Sequence, residues 1–232
     1  AATPATNARR SPAPPPAPFV WLVRAAAIEG ITQTGRPVTI RSVLANLSDP
    51  EASIRQMSRN ALLTLPRPQR AKMLLSASED PDPIVRAGAV VVLADDPDDA
   101  ARAAILAAFS DEDARVRKAA CVHLDILPGD RPALAALRKL LTDDDPQVRV
   151  EACVSTGNNG TVEQLDGLVN CLWDHEADVR AAACRALGCL GCAEAVPVLR
   201  RSLRGQPSRV TLAAREALGR LGDDDSIRIL IS

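Results

Sequence analysis

Aromatic side chains are scarce in this chain of 232 residues, which has two Trp, two Phe and no Tyr. Apolar residues still make up 47% of the sequence, so most of them are Ala, Val and Leu. The scarcity of rings weighs against modules that stack single-stranded nucleic acid on aromatic side chains. It also weighs against a β-sandwich, whose strands are rich in aromatic and β-branched residues. Ala and Leu instead favour helices with small, closely packed faces.

Other features are missing as well. No apolar run reaches about 18 residues, so the sequence predicts no membrane span. The formal net charge of −1 gives no overall field that would attract a nucleic acid. Residues 1–18 lack the apolar stretch of a secretory signal peptide, and all six Cys lie after residue 120 in sequence of helical character. We therefore expect reduced thiols and a cytoplasmic protein.

A repeat of about 31 residues organises the chain. Its anchor is a β-branched residue followed by Arg, and successive anchors lie 31, 31, 32 and 31 residues apart. The anchors are Ile54-Arg55, Val85-Arg86, Val116-Arg117, Val148-Arg149 and Val179-Arg180. Val23-Arg24 and Val210-Thr211 fall in the same register, which gives seven units with atypical ends.

Further positions keep this frame. An Asp lies five residues before each regular anchor, a second acid lies three before it, and a small residue lies four after it. Offsets 0, 4, 8 and 11 share one face of an α-helix, which we name helix B. The acid three before the anchor is placed to cap helix B, and Gly or Pro twelve after the anchor ends it. We predict that B helices begin near residues 52, 83, 114, 146, 177 and 208, each preceded by a second apolar stretch, helix A.

Helices of roughly 9–13 residues are marginal alone in water, so each must pack against its partner and its neighbours. The sequence therefore predicts an all-α fold, an α-solenoid of about seven two-helix repeats. The pattern D-P-D-x-x-V-R-x-x-A at this period resembles the HEAT-like repeats found in phycobilisome lyases, closely over 48–222 and more loosely over 19–47. We assign residues 19–232 to the HEAT-like solenoid and residues 1–18, which hold six Pro, to a Pro/Ala-rich disordered arm or linker.

Few residues are suited to catalysis. The chain has only two His, His123 and His175, and no nucleophile or phosphate-loop motif. Runs of Asp in 95–99, 143–145 and 223–225 resemble a hard-cation site, but two of the three fall in repeat turns, where acids cap helices. We predict no enzyme activity, no catalytic residue, no metal site and no cofactor.

The cysteines allow two interpretations. Cys121, Cys153 and Cys184 share the position five after the anchor, which predicts packing residues. Cys189 and Cys192 form a single CxxC, for which a redox pair or part of a zinc site is the alternative.

The Arg after the anchor and the Asp five before it recur in phase. Because the planar guanidinium can hold two acceptors, we predict an Asp–Arg ladder between successive inter-helix turns, with phosphate binding as the alternative.

Two surface features could bind a partner. Residues 1–75 hold ten Lys and Arg against three acids, whereas residues 76–232 hold eighteen against twenty-six. A basic patch of Arg59, Arg67 and Arg70 is therefore a hypothesis for an acidic partner, and ordinary solvated faces are the alternative.

The second feature lies on helix B. The position six after the anchor points away from the core stripe, and it holds Val91, Val122 and Val154 in three successive repeats. Val150, two after its anchor, joins them. In a HEAT-type solenoid the B helices line the concave surface, so these valines predict a partner-binding groove, with burial in a tighter superhelix as the alternative.

Together these features favour a non-catalytic protein-binding scaffold or regulatory interaction module that uses the concave helix-B face. The partner would be a protein or another domain of a larger polypeptide, and a nucleic acid is not expected. The resemblance implies one alternative, a subunit of a bilin lyase or chaperone-like enzyme. A nucleic-acid-binding HEAT-like protein is another, but it needs a basic concave face, which the three valines contradict.

Overall fold

A computed structural model describes residues 37–95, 98–124, 129–202 and 206–222. Within these ranges the chain forms twelve α-helices and no strand. The helices are α1 Pro37–Ala45, α2 Ala52–Leu63, α3 Arg67–Ala77, α4 Pro83–Leu93, α5 Asp99–Ala108, α6 Ala114–Val122, α7 Arg131–Leu140, α8 Pro146–Asn159, α9 Leu165–Cys171, α10 Ala177–Leu190, α11 Val196–Ser202 and α12 Ser208–Arg220. Short 3₁₀ turns are Asn46–Ser48, Val162–Gln164 and Ala193–Ala195.

The helices form six two-helix repeats in the described part of the chain. Odd-numbered helices are the A helices and even-numbered helices are the B helices. All six B helices begin at the residues that the repeat frame predicts, so the all-α solenoid is confirmed. The predicted arm, 1–18, the first unit at Val23 and the C-terminal apolar stretch after residue 225 lie outside the described residues.

Local capping explains the accuracy of these starts. The side chains of Asp82, Asp113 and Asp145 each accept a hydrogen bond from a backbone N–H in the first turn of α4, α6 and α8. Glu51 and Glu176 hold the same cap position without a side-chain cap bond. The shorter Asp side chain suits the cap better, as capping preferences indicate.

The core is a continuous layer between the two sets of helices. The anchor residues of the B helices are buried, and from α4 to α12 each B helix packs against the next one along the chain. Neighbouring A helices contact each other far less. Because helices on the inner side of a curved stack lie closer together than those on the outer side, the B helices form the concave layer.

Glycines allow the closest contacts in this layer. A Cβ atom on Gly157 of α8 would lie 2.7 Å from the Cα of Ala186 in α10. A Cβ atom on Gly188 of α10 would lie equally close to the Cα of Ala217 in α12. In both contacts the glycine lies nine residues after the anchor of its own B helix, and the alanine lies seven residues after the anchor of the next B helix. Small residues at these two positions therefore set the distance between the helices.

The predicted Asp–Arg ladder is confirmed. Arg117 donates from Nη1 to the carbonyls of Asp111 and Glu112 in its own turn. Its Nε and Nη2 donate to the two carboxylate oxygens of Asp143 in the next repeat, at 2.8 and 2.7 Å. Asp143 Oδ1 also accepts the backbone N–H of Asp145, the cap of α8. Arg86 with Asp111 and Arg149 with Asp174 repeat this geometry.

The first described rung differs from the frame, which predicts Arg55 as the partner of Asp80. Asp80 pairs instead with Arg41 Nη2 of α1 at 2.9 Å, while Arg55 donates to carbonyls of its own turn. The reason is that α1 packs directly against α4. A Cβ atom on Gly88 of α4 would lie 2.5 Å from the carbonyl oxygen of Leu44.

The ladder also perturbs acidity. Desolvation raises the pKa of Asp143, but the Arg117 guanidinium and the Asp145 N–H outweigh it, so the pKa lies below its ordinary value. The same balance lowers the pKa of Asp111 and Asp174.

We predict that Gly157→Ala destabilises the fold by about 1–3 kcal/mol, because the added methyl group overlaps the backbone of α10. Gly219→Ala is the matched control. It lies at the same repeat position in α12, where an added Cβ meets no atom within 4 Å, and it should stabilise by up to about 1 kcal/mol. Urea unfolding followed by circular dichroism measures both values. Equal effects would show that the close contact does not limit the packing.

We predict that Asp143→Asn lowers stability at pH 7 by about 2–3 kcal/mol, since it leaves the Arg117 guanidinium without its carboxylate. Asp178→Asn is the control, because its pair with Arg209 leaves both side chains more than half exposed and contributes less than about 1 kcal/mol.

The same pair of variants tests the pH dependence of the rung. The lowered pKa of Asp143 means that the rung stabilises above the unfolded-state value near pH 4 and loses this contribution as the pH falls through the folded-state value. The difference between wild type and Asp143→Asn in urea unfolding should therefore shrink below about pH 4. A difference that stays constant between pH 7 and pH 3 would contradict the ionic role.

Candidate functional site

The residues that lie six positions after the anchors of the B helices are only partly exposed to solvent. Val122 at the end of α6 is 49% exposed and Val154 in α8 is 39% exposed. Val91 is half-buried, because α4 is covered on most of its faces, including by α1. Val150 is half-buried against the core. The structure therefore places two of these four valines on the open surface and two at its edge.

These four residues, Val91, Val122, Val150 and Val154, are named the concave patch. Positions two, six and ten after the anchor share one helix face at i, i+4 spacing, so polar residues there border the patch. They include the half-buried Lys118 and the exposed Asn158 and Arg185. An apolar centre with a polar margin is the usual anatomy of a protein interface.

The three arginines of the predicted basic patch have separate surroundings. Arg70 is 7% exposed and donates from Nη1 to the carbonyls of Leu63 and Leu65 at 3.1 and 3.0 Å, which caps the end of α2. Arg59 forms a two-point pair with the carboxylate of Asp95 at the end of α4. Arg67 lies exposed in the first turn of α3. Arg70 is thus part of the packing, and binding by this set stays a prediction that concerns Arg59 and Arg67.

Sequence reasoning missed these partners. Asp95 lies outside the repeat frame, and the carbonyls that Arg70 caps become neighbours only when α3 turns back on α2. The excess of basic residues in the first part of the sequence therefore does not by itself define a binding surface.

The histidines do not form a common site. His123 is half-buried at the end of α6, and His175 is exposed in the turn before α10. Asp143 and Asp145 are used by the ladder and the α8 cap. Among the described residues no group of three His, Cys, Asp or Glu side chains is arranged to hold a metal ion. The run 223–225 lies outside those residues.

Five of the six thiols are buried and all six are free. Cys121, Cys153 and Cys184 are fully enclosed in the B layer, as predicted for packing residues. Desolvation raises the pKa of Cys121 to about 12 and that of Cys184 to about 11. A hydrogen bond with Cys171, together with burial, raises the pKa of Cys153.

The CxxC does not present its two thiols together. Cys189 is exposed on α10, where Arg220 Nη1 approaches its Sγ at 2.8 Å. Cys192 is buried beyond the left-handed Gly191 that ends α10. The helix end therefore separates the two thiols into a surface group and a packing group.

We predict that about one thiol for each native chain, Cys189, reacts quickly with a thiol reagent, because the other five thiols are enclosed and a reagent cannot reach them in the folded state. Cys189→Ser should remove the fast phase, whereas Cys121→Val should leave it unchanged. Absorbance of the released reagent measures the phase. Fast reaction of Cys121 or Cys184, or stoichiometric zinc in the purified protein, would contradict the packing assignment.

None of the described helices combines the length and the apolar character needed to cross a bilayer.

Comparison with known proteins identifies the repeat. A family model described as HEAT repeats matches residues 71–156 and 165–232. No curated protein sequence matches the chain.

Solved structures share the architecture at low sequence identity. A crystal structure of an engineered protein is 20% identical, covers 79% of this chain and 98% of its own, and superposes with a TM-score of 0.54. A designed armadillo repeat protein in complex with the peptide (KR)4 is 18% identical, with coverages of 78% and 99% and a TM-score of 0.54. Human deoxyhypusine hydroxylase is 17% identical, with coverages of 89% and 100% and a TM-score of 0.46, an overlap too low to bear on function.

The similar structures show the fold, and the matching repeat model shows the family. The match does not identify the phycobilisome-lyase subtype. Because the matched segments span more than half of its residues, the chain belongs to the HEAT repeat family.

Proposed function

We propose that this HEAT repeat protein is a non-catalytic scaffold that binds a protein segment on the concave patch. The observation that carries the proposal is the exposure of Val122 and Val154 at the same position of two successive B helices. Two valines about half open to solvent, on a stack whose anchor residues are buried, form the kind of apolar surface that partners cover.

The spacing of the patch suits a chain segment. Packed helices lie about 8–10 Å apart, so Val122 and Val154 offer two apolar contacts separated by roughly that distance. Residues i and i+7 of a helical partner are about 10 Å apart along its axis, and three residues of an extended partner span a similar length. A designed armadillo repeat protein of similar fold is described in complex with a peptide, which supports a peptide-like occupant. That occupant could belong to a separate protein or to another domain of a larger polypeptide.

The same residues weigh against the alternatives. A nucleic-acid-binding groove requires cations at its centre, where this face has valines. A bilin lyase or chaperone-like enzyme is implied only by the resemblance of the repeats, and the two histidines do not form a common site. Cytoplasmic location stays a prediction.

We predict that Val122→Glu abolishes partner capture, because a carboxylate at the centre of an interface costs about 2–4 kcal/mol, at least a thirtyfold loss of affinity. Its melting temperature should stay close to that of the wild type, since Val122 is half exposed. Pull-down from source lysate with quantitative comparison of the bound proteins measures capture. Leu212→Glu is the matched control, because Leu212 is 57% exposed and lies on α12, two B helices beyond Val154.

Two outcomes would contradict the concave patch as the binding surface. Capture that survives Val122→Glu but is lost in Arg67→Glu would favour the basic N-terminal region. A large drop in melting temperature for Val122→Glu would show that the residue serves the core.

A further inference from the structure

A second groove lies on the opposite, A-helix side of the solenoid. It is formed by α7 and the 3₁₀ turn Val162–Gln164, and its volume is about 550 Å³. Leu134 and Ala135 of α7 give it an apolar floor. Its polar lining is dominated by three cations of α7, Arg131, Arg138 and Lys139.

The three cations are available to a ligand. Arg131, Leu134, Ala135 and Arg138 follow i, i+3, i+4, i+7 spacing, so they share one face of α7. All three cations are exposed, and none forms an ion pair within the described ranges. Cations in the last turn interact favourably with the helix dipole, which accounts for Arg138 and Lys139. The dipole does not account for Arg131, because a cation at the first residue of a helix is unfavourable.

Gln164 adds a hydrogen-bonding group to the wall of this groove. Its side chain is 3% exposed and lines this groove. Oε1 accepts hydrogen bonds from the backbone N–H of Thr161 at 2.7 Å and from the Thr161 hydroxyl at 3.0 Å. Because a backbone N–H can only donate, this contact fixes which end of the amide is oxygen. The two N–H groups of Nε2 have no partner among the described residues, and since Nε2 is not one of the fully enclosed atoms, both stay open to an acceptor in the groove.

We propose that this groove binds an acidic peptide segment of a partner protein. Arginine forks hold carboxylates at two points, Gln164 Nε2 donates to a carboxylate or peptide carbonyl oxygen, and the Leu134–Ala135 floor contacts aliphatic side chains. From Arg131 to Arg138 the helix rises about 10 Å, which is longer than one phosphate or carboxylate group. The ligand therefore carries several negative groups along its length, as an acidic peptide does. This site is separate from the concave patch and does not rest on its function.

Binding of a fluorescein-labelled octapeptide of alternating Glu and Ala to the full chain, followed by fluorescence anisotropy, tests the proposal. The matching Gln and Ala peptide should bind at least about tenfold more weakly, since charge-assisted contacts supply the affinity. Arg138→Glu should weaken the acidic peptide at least about tenfold. Lys72→Glu makes the same change in net charge on α3, outside the groove, and should change affinity less than about twofold.

Two further variants test the roles of the acidic and amide side chains. Glu163 also lines the groove and repels an acidic ligand, so Glu163→Gln should strengthen binding several-fold. Gln164→Glu keeps an oxygen to accept from Thr161, as in the usual capping box, but it removes the N–H donors. It should therefore abolish peptide binding while the melting temperature stays near that of the wild type.

Each alternative has a distinct result, and each would overturn the proposal. Equal losses in Arg138→Glu and Lys72→Glu would show nonspecific attraction only. Loss in Arg185→Glu without loss in Arg138→Glu would place the peptide on the concave layer. Inorganic phosphate or a short DNA that competes more strongly than the unlabelled peptide would show that the groove selects phosphate groups. Unchanged peptide affinity in Gln164→Glu would show that the amide serves only the turn.

Discussion

The contact on which the repeat depends is the guanidinium that joins two successive turns. Arg117 satisfies two carbonyl oxygens of its own turn and both carboxylate oxygens of Asp143, while Asp143 holds the backbone that caps α8. Both side chains are at most 15% exposed, so the pair is poorly screened and sensitive to misplacement. A slip of one residue would leave a charge and two carbonyls unpaired. The rung thus fixes the register in which short helices, marginal on their own, stack.

The beginning of every described B helix could be predicted because its causes are local in sequence. Asp145 and Pro146, for example, are adjacent and define the start of α8 without reference to the rest of the chain. The first rung could not be predicted in the same way. Arg41 and Arg55 both follow a β-branched residue, and only the packing of α1 against α4 decides that Arg41 meets Asp80. Gly157 and Gly188 were also uninformative alone, since their role appears only beside Ala186 and Ala217.

The candidate surfaces show the same division between local and tertiary causes. Helical periodicity correctly directed Val122 and Val154 outward, because both lie opposite the buried anchor stripe of their own helices. It could not show that Val91 is half-buried, since α4 also packs against α1, a helix of another repeat. In the groove on the A-helix side, the Thr161-x-x-Gln164 spacing predicts a capping box from the sequence alone. The burial of Gln164 and its place in the same groove as Arg131 required the fold.

The B-helix face and the A-helix face of the solenoid carry different side chains, because neighbouring B helices pack against each other more extensively than neighbouring A helices do. Close approach of α8, α10 and α12 requires Gly or Ala where their backbones touch, so larger side chains lie at other positions of these helices. α6 is shorter, and it packs less extensively against its B-helix neighbours than α10 does. Val122 lies at the end of that helix and is correspondingly open. Neighbouring A helices contact each other less, and on this side α7 carries three cations that form no ion pair with any residue the structure describes. An apolar patch on the inner, B-helix side and a basic groove on the outer, A-helix side therefore lie on separate faces of one stack, and they share no residue.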